Sequence, residues 1–453
     1  MIDRRHREKP ICRREQPRRA AQFAPTLGLC LALGWWPGAA TAEGLFDALG
    51  DLWTTHPQIR SAEKDLLGSR SDVDRELSGY WPRVSVTGDW GIERIETPSR
   101  TVGDPSQRSP VTAGLSVTQN IFNGFSTASS VRAARFNTEV ARSQLAGTRQ
   151  ATLFDGVQAY VDVLRQMRLV ELAKANEATI QLQLDLEDER VSRGSGVAVD
   201  VIQAKSRLQT AIERRIEFEG AAEDALTRYF QVFGRRPDVA QMTDPPLPTH
   251  LIPTQLRDAI QLALKNNPAV ANSQATIEAT RATRWQSLAG YSPQVDVVAS
   301  ANYEKNSDGT IGTRRDYSVL VQSTWDLFNG FETKAQVERA TFDYRAAKDN
   351  HDFVRSRVEE QVRIGWQALL TARARLQVQE NAVNIASELF TSRRKLREAG
   401  RETVVNVLDA ENEIFNAQIN YTSAAYDEIS AVYELLLAMG RLDAANLNLN
   451  AGG

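Results

Sequence analysis

Few side chains in this sequence are equipped to make or break bonds. The 453 residues include four histidines and two cysteines, and both cysteines, Cys12 and Cys30, fall in an N-terminal stretch that reads as a leader. The rest of the chain therefore has no disulfide, no thiol nucleophile and no thiolate metal site. Beyond the leader stand only His56, His250 and His351, lone residues of the kind ordinarily found on helix surfaces. There is no Gly-x-Ser-x-Gly elbow, no His-Glu-x-x-His pair and no phosphate-cradling Gly-x4-Gly-Lys. An enzyme reading thus has little to stand on, and no catalytic residue, cofactor or metal site is assigned. What remains is charge placed at two turns: Asp200 follows Gly194-Ser195-Gly196, and Arg397, Glu402 and Asp409, with Asn406, surround Gly400. An isolated Asp on a helix is ordinarily solvated, so these residues matter only if their elements gather them.

Those elements are set by a repeat. Asn120-Ile121-Phe122-Asn123-Gly124-Phe125 returns as Asp326-Leu327-Phe328-Asn329-Gly330-Phe331, 206 positions later. Upstream of each copy lies an alternating run, Val111, Ala113, Leu115, Val117 in one and Tyr317, Val319, Val321, Trp325 in the other, with the period of a strand. Downstream, about 65 residues run without proline and with apolar positions three or four apart, the pattern of a long helix. Asn123-Gly124 and Asn329-Gly330 are therefore strand exits feeding helices. A chance Asn-Gly hairpin turn is the usual reading of a lone dipeptide, but six aligned positions at a shared junction argue against it.

Residues 1 to 42 read as an export signal: a basic stretch from Arg4 to Arg19, an apolar segment from Phe23 to Trp36, and a small-residue cleavage site at Ala40-Thr41-Ala42. The basic part is long, as a start codon assigned too far upstream would make it. Cys30 sits inside the apolar stretch and is a poor candidate for lipid attachment. Without the leader the chain carries 46 basic and 54 acidic residues, a formal charge of −8, so nucleic acid is not an expected partner. No later segment offers 18 consecutive apolar residues, and any membrane span must be made of strands.

In order, the first repeat covers 43–233. It opens with a helical stretch interrupted at His56-Pro57, either two short helices or one kinked one. A β-hairpin over 83–122 follows, then a long helix over 126–190 and a returning helix over 199–233. Residues 234–253, with five prolines and no period, form a linker or an irregular packing segment. The second repeat, 254–440, gives a hairpin over 294–328, a long helix over 332–398 and a helix over 403–439, before a flexible tail at 441–453. Asn267-Pro268 matches His56-Pro57, and Tyr291-Ser292-Pro293 matches Tyr80-Trp81-Pro82, both at an offset of 211. The offset then falls to 206, so the first hairpin loop is five residues longer.

Strands of about 10 to 13 residues with one polar face suit a tilted outer-membrane crossing. Four are too few for a barrel, whose smallest bacterial form has about eight, so closure requires other copies of the chain. Val84, Val86, Trp90, Val295, Val297 and Val319 are expected to face lipid, and Asp89, Asp296 and Asp326 the lumen. A four-stranded soluble sheet packed on helices would also alternate. A thin, Ala-rich stripe on helices of roughly 100 Å favours packing side by side into a hollow cylinder. A plain coiled-coil rod would explain the helices and not the strands.

The order helix, hairpin, long helix, shorter helix, given twice, with Leu-Phe-Asn-Gly at Leu327 to Gly330 and Gly-x5-Asn-Val-Leu-Asp-Ala from Gly400 to Ala410, resembles the TolC family of outer-membrane channel tunnels across residues 43 to 440. The resemblance implies a mixed α and β membrane protein: a homotrimer sharing one transmembrane β-barrel in the outer membrane, continued by an α-helical coiled-coil tunnel across the periplasm. It implies a passive exit duct for type I protein secretion or, alternatively, for multidrug or small-molecule efflux. The implied partners are a periplasmic adaptor and an inner-membrane ABC exporter or proton-driven pump. A periplasmic coiled-coil scaffold or adhesin stalk is the alternative of a different class. In the family two acids three residues apart line the periplasmic aperture. Here those positions are Asn406 and Asp409. Asp200 matches a family acid that helps hold helices closed, Arg397 stands where the family has an aromatic latch residue, and Glu402 where it has Arg. The resemblance therefore implies a rewired latch in which Asp200 faces Arg397.

Overall fold

The computed structural model describes residues 44–95, 106–307, 311–447 and 449. The leader expected over 1–42, with its cleavage site, lies outside them, as do residues 96–105 of the first hairpin loop.

The chain opens with two helices, α1 (Leu45–Thr55) and α2 (Pro57–Leu77). His56 stands between them in extended conformation: its backbone N–H closes α1 on the Leu52 carbonyl, and its ring nitrogen accepts from the Gln58 N–H to cap α2, with Pro57 at the first helical position. Proline is tolerated there because that N–H has no helical partner. Asn267-Pro268 repeats the device between α5 (Leu256–Asn266) and α6 (Pro268–Leu288), where the Asn267 side chain accepts from Ala269 at 2.9 Å.

The strands are β1 (Arg83–Trp90), β2 (Glu93–Ile95), β3 (Ser106–Arg108), β4 (Val111–Phe122), β5 (Gln294–Lys305) and β6 (Thr313–Thr324). The main sheet runs β1-β4-β5-β6, antiparallel throughout, with β1 and β6 as open edges. Its register puts like with like. Val86 opposes Leu115, Leu115 opposes Ala301, and Ala301 opposes Tyr317 on one face. On the other, Thr112 bonds Asp89, Asn302 bonds Asp316, and Ser300 pairs with Ser318 at 2.8 Å. Because side chains alternate, register alone separates an apolar face from a polar one.

Two hairpin boundaries differ from expectation. The alternation of Val84, Val86, Gly88, Trp90 and Ile92 predicts a first strand through Ile92, but the strand stops at Trp90, where Gly91 donates to the Pro110 carbonyl, and a small ribbon of β2 with β3 forms beyond it. Pro110 has no N–H to extend the ladder. The second hairpin, expected to reach 328, ends at Thr324, because Trp325 already turns its indole N–H onto the Tyr291 carbonyl at 3.1 Å.

Two helices of 67 residues each, α3 (Ser126–Ser192) and α7 (Glu332–Glu398), leave the sheet, and at 1.5 Å per residue each spans about 100 Å. They return as α4 (Ala198–Phe233) and α8 (Val404–Ala438). Packing side by side gives the layer α2, α3, α6, α7, with α4 on α3 and α8 on α7. The main core lies partway down this layer, where Leu153, Val157 and Tyr160 of α3 meet Leu49 and Leu52 of α1, Tyr229 of α4, Val362 of α7 and Tyr433 and Leu436 of α8.

That core also claims the segment between the repeats and the start of the tail. The linker 234–253 buries Leu251, and its carbonyls at Thr243 and Pro246 accept from the hydroxyls of Tyr160 and Tyr433. The tail from Arg441 is not free over its described residues: Leu442, Leu447 and Leu449 are buried, and Arg441 donates to the Leu251 carbonyl. Buried tyrosines need an acceptor for their hydroxyls, and the proline-rich segment, short of N–H donors, supplies carbonyls.

Candidate functional site

The two strand exits are built alike. In the first, Gly124 and Phe125 both hold positive φ, 64° and 66°, while Ser126 N–H reaches back to the Asn123 carbonyl at 3.1 Å. In the second, Gly330 and Phe331 hold 64° and 67°. Two consecutive positive φ values reverse the chain tightly, and a phenylalanine in that region is strained. Local contacts hold it there. Asn123 donates to the Thr127 hydroxyl and Asn329 to that of Thr333, both at 2.7 Å. Phe125 meets Phe122 edge to face at 5.7 Å, as Phe331 meets Phe328 at 5.4 Å. The exits differ in their surroundings. A side chain added at Gly124 would collide with Ser292 and the Ala289 carbonyl, whereas one at Gly330 would meet nothing within 4 Å. A polar cavity of about 540 Å³ between the two junctions is lined by Asn123, Gln294 and Asp326.

At the opposite end, α3 and α7 close in the same way. Gly194 and Gly400 take φ of 77° and 70°, Ser195 N–H bonds Arg190 O, and Arg401 N–H bonds Leu396 O. This glycine-centred cap satisfies the last carbonyls of each helix. The returning helices start differently: Thr403 caps α8 through the Asn406 N–H, while Val197 gives α4 no side-chain cap. A small apolar cluster seals the tip, with Ile180, Leu184, Val201, Ala204, Leu208, Val404 and Leu408 drawn from α3, α4 and α8.

The structure gathers the charged residues at the turns, pairs Arg397 with Asp200 as the sequence suggests, and adds partners that the sequence did not show. Arg397 lies 3.6 Å from Asp200, yet its guanidinium grips Glu187 with two nitrogens, at 2.6 and 3.3 Å, and donates to the Glu402 carbonyl at 3.0 Å. Glu187, 2% exposed, is also held by Arg190 at 2.8 Å. The network therefore ties the ends of α3 and α7 within one chain, with Asp200 at its edge. Glu402 does not join it by its carboxylate. That group accepts from the Asn406 amide and the Thr403 N–H, which together hold its pKa below the ordinary value.

Asp409 is not a free carboxylate. Arg207 of α4 bonds it at 2.6 Å, and one heptad along Arg214 bonds Asn416 in the same way. One turn beyond Leu408, Glu411 is 3% exposed with both oxygens unpartnered among the described residues, and burial pushes its pKa up to about 8. Glu187, Arg190, Arg207 and Glu411 were not legible as site residues. Glu187 meets Arg397 and Arg207 meets Asp409 only through folding, Arg190 joins them through Glu187 three residues before it on α3, and Glu411 betrays itself only as a charge at a position in step with Val404, Leu408 and Phe415 on the buried face of α8.

His56 caps α2 with a pKa lowered by burial, and His351 shares a hydrogen bond with Ser273 at 2.8 Å.

Comparison with known proteins agrees with this architecture. A family profile described as Outer membrane efflux protein matches residues 49–235 and 259–441. The chain is similar to Outer membrane efflux protein BepC of Brucella suis, 27% identical over 91% of this chain and 88% of that one. It is similar to Alkaline protease secretion protein AprF of Pseudomonas aeruginosa, 28% identical over 91% and 87%. Its fold matches the Campylobacter jejuni CmeC outer membrane channel with a TM-score of 0.79, covering 93% and 94% of the two chains at 14% identity.

Proposed function

Because the chain belongs to the outer membrane efflux protein family, the TolC-like channels of the outer membrane, we propose that three copies form a passive exit duct for a type I protein-secretion system. The observation that carries the assembly is the inequality of the two exits. Gly124 is filled from within the chain by Ala289 and Ser292, and the residues matching these in the first repeat are Ser78 and Trp81. The open space beside Gly330 is the space that Ser78 and Trp81 of a second copy would occupy. A layer ordered α2, α3, α6, α7 then continues with the next copy's α2, and β6 pairs with the next copy's β1.

Three copies give twelve strands, enough to close a barrel with a lumen. The apolar face meets lipid, while Asp89, Asp296 and the Ser300–Ser318 pair line the interior. With no phosphate loop, the chain takes its energy from an inner-membrane ABC exporter, reached through a periplasmic adaptor. At the tip, Arg397 with Glu187 and Asp200 acts as the latch, and Asp409 with Arg207 sets the charge at the aperture. Protein cargo is supported by the Leu-Phe-Asn-Gly-Phe exit at 327–331 and by the likeness to a protease secretion protein. Efflux of small molecules, driven by a proton pump, is the second reading, supported by the likeness to an efflux protein.

Native mass measurement in detergent should give a trimer, and the trimer in a planar bilayer should give discrete, long-lived conductance steps. A monomer or dimer sinks the assembly, and a silent bilayer sinks the duct. Deleting the gene should abolish export of a protein substrate while leaving drug susceptibility near the parent's. The reverse pattern establishes efflux.

A further inference from the structure

Below the first strand exit lies a cavity of about 770 Å³, walled by Tyr80, Phe125 and Trp285 and lined by Arg132 and Arg135 of α3. Its side of the wall is fixed by contacts. The bulge at the end of β4 places Phe122 opposite Val295, on the apolar face, and Phe125 packs edge to face on Phe122. The cavity therefore opens beneath the lipid-facing side of the sheet. Its aromatic walls are more than half exposed, Phe125 at 71%, Trp285 at 53% and Tyr80 at 51%, as suits rings at a membrane boundary.

Both arginines are exposed, and neither has an acid or carbonyl partner among the described residues. Glu139, the acid that lines the cavity, is engaged with Arg142 through both oxygens at 2.8 Å. Arg132 and Arg135 lie six and nine residues into α3, about 9 and 14 Å below its start, and arginine reaches upward along its apolar stem. That brings two unneutralised cations to the headgroup layer of the periplasmic leaflet, roughly 5 to 8 Å thick.

The repeat supplies an internal comparison. The positions in α7 that match Arg132 and Arg135 are Glu338 and Thr341. Glu338 is paired with Lys334, and the Thr341 hydroxyl accepts from Arg284 at 2.9 Å. The cationic pair belongs to the first repeat alone, so the fold itself does not require it.

We propose that this cavity binds an anionic glycerophospholipid of the periplasmic leaflet, its phosphodiester held by Arg132 and Arg135 and its glycerol end against Trp285 and Phe125. A planar guanidinium suits a phosphodiester, to which it can give two parallel hydrogen bonds. The proposal rests on the barrel reading for which face meets lipid, and predicts one site per chain rather than one per repeat.

The purified oligomer is titrated separately with phosphatidylglycerol, phosphatidylcholine and inorganic phosphate, and bound lipid is counted by native mass spectrometry. The parent should prefer phosphatidylglycerol over phosphatidylcholine by about tenfold or more. R132Q/R135Q should lose that preference, R132K/R135K should keep most of it and Lys334→Gln in the second repeat all of it. A preference that survives R132Q/R135Q, equal binding of phosphatidylcholine, or competition by inorganic phosphate at matched concentration overturns the site. Single-channel recording of the same samples separates the two levels. A parent that conducts without lipid preference sinks the site alone, and a parent that never conducts sinks the duct and the site with it.

Discussion

Removing the guanidinium of Arg397 leaves Glu187 with Arg190 alone, in a place where its carboxylate is nearly out of water. Breaking a buried ion pair from one side costs about 3 to 5 kcal/mol, and Arg190 retains part of that. Arg397→Ser should therefore loosen the tip and raise the single-channel conductance of the isolated protein, and Glu187→Gln should do so as well. Asp200→Asn, at the edge of the network, should change conductance less. Equal effects of all three would show that the tip is closed elsewhere. At Asp409 the neighbour matters as much as the acid: Arg207→Ala should expose the carboxylate and strengthen cation preference, and Asp409→Ala should weaken it, both read from reversal potentials in a salt gradient. Glu411 predicts a pH dependence. Below its ordinary value of 4.5 the carboxyl is neutral both folded and unfolded. As pH rises toward about 8 the unfolded chain ionises while the folded one keeps its proton, so stability falls across that window and levels off above it. Glu411→Gln should match the parent in thermal stability at pH 4 and exceed it at pH 9, by up to roughly 4 to 5 kcal/mol. The charges at the turns were visible in the sequence, but their partners were not. Glu187 lies 210 residues from Arg397, and no local pattern ties them.

Element by element, the repeat made the architecture legible. A period of two before Asn-Gly and of three to four after it places each helix start, and α3 and α7 begin at Ser126 and Glu332 just past those glycines, although the strand before the second ends at Thr324. Punctuation by long-range contacts was not legible: β1 stops at Trp90 because Pro110 faces it from across the hairpin, and Trp325 leaves the ladder for a carbonyl on a 3₁₀ turn. The packing of the tail's described residues was not legible, because three leucines spaced among Asn and Ala carry no period, although they complete the core. The sheet supplies its own test. Val297 opposes Val321 on the apolar face, and Asp296 accepts from Asn120 on the polar one. Val297→Arg should cost about 2 to 4 kcal/mol if it lies near the bilayer midplane, and Asp296→Arg much less, as read by heat-modifiable migration of the oligomer. Equal losses would reverse the assignment of faces.

For the whole molecule, the proposed trimer joins its copies through the same type of contact that joins the two halves of one chain. Filling the space beside Gly330 is a direct probe of it. Gly330→Ala adds a methyl to open space in the lone chain and, on the proposal, to a crowded seam between copies, besides straining a residue with φ of 64°. It should lower the yield of oligomer recovered from membranes while the helical content of the chain stays near the parent's. Gly124→Ala, by contrast, should damage the chain before it meets another, since Ser292 stands within 2.5 Å of the added carbon. The open edges at β1 and β6 have a consequence in time. A lone copy exposes two rows of unmet backbone groups, the arrangement most prone to wrong pairing, and only encounter with other copies removes them. Formation of the channel is then a race between productive meetings and misassociation. Dilution should starve the first, crowding of half-folded chains should feed the second, and the yield of channels should peak at an intermediate rate of chain delivery to the membrane.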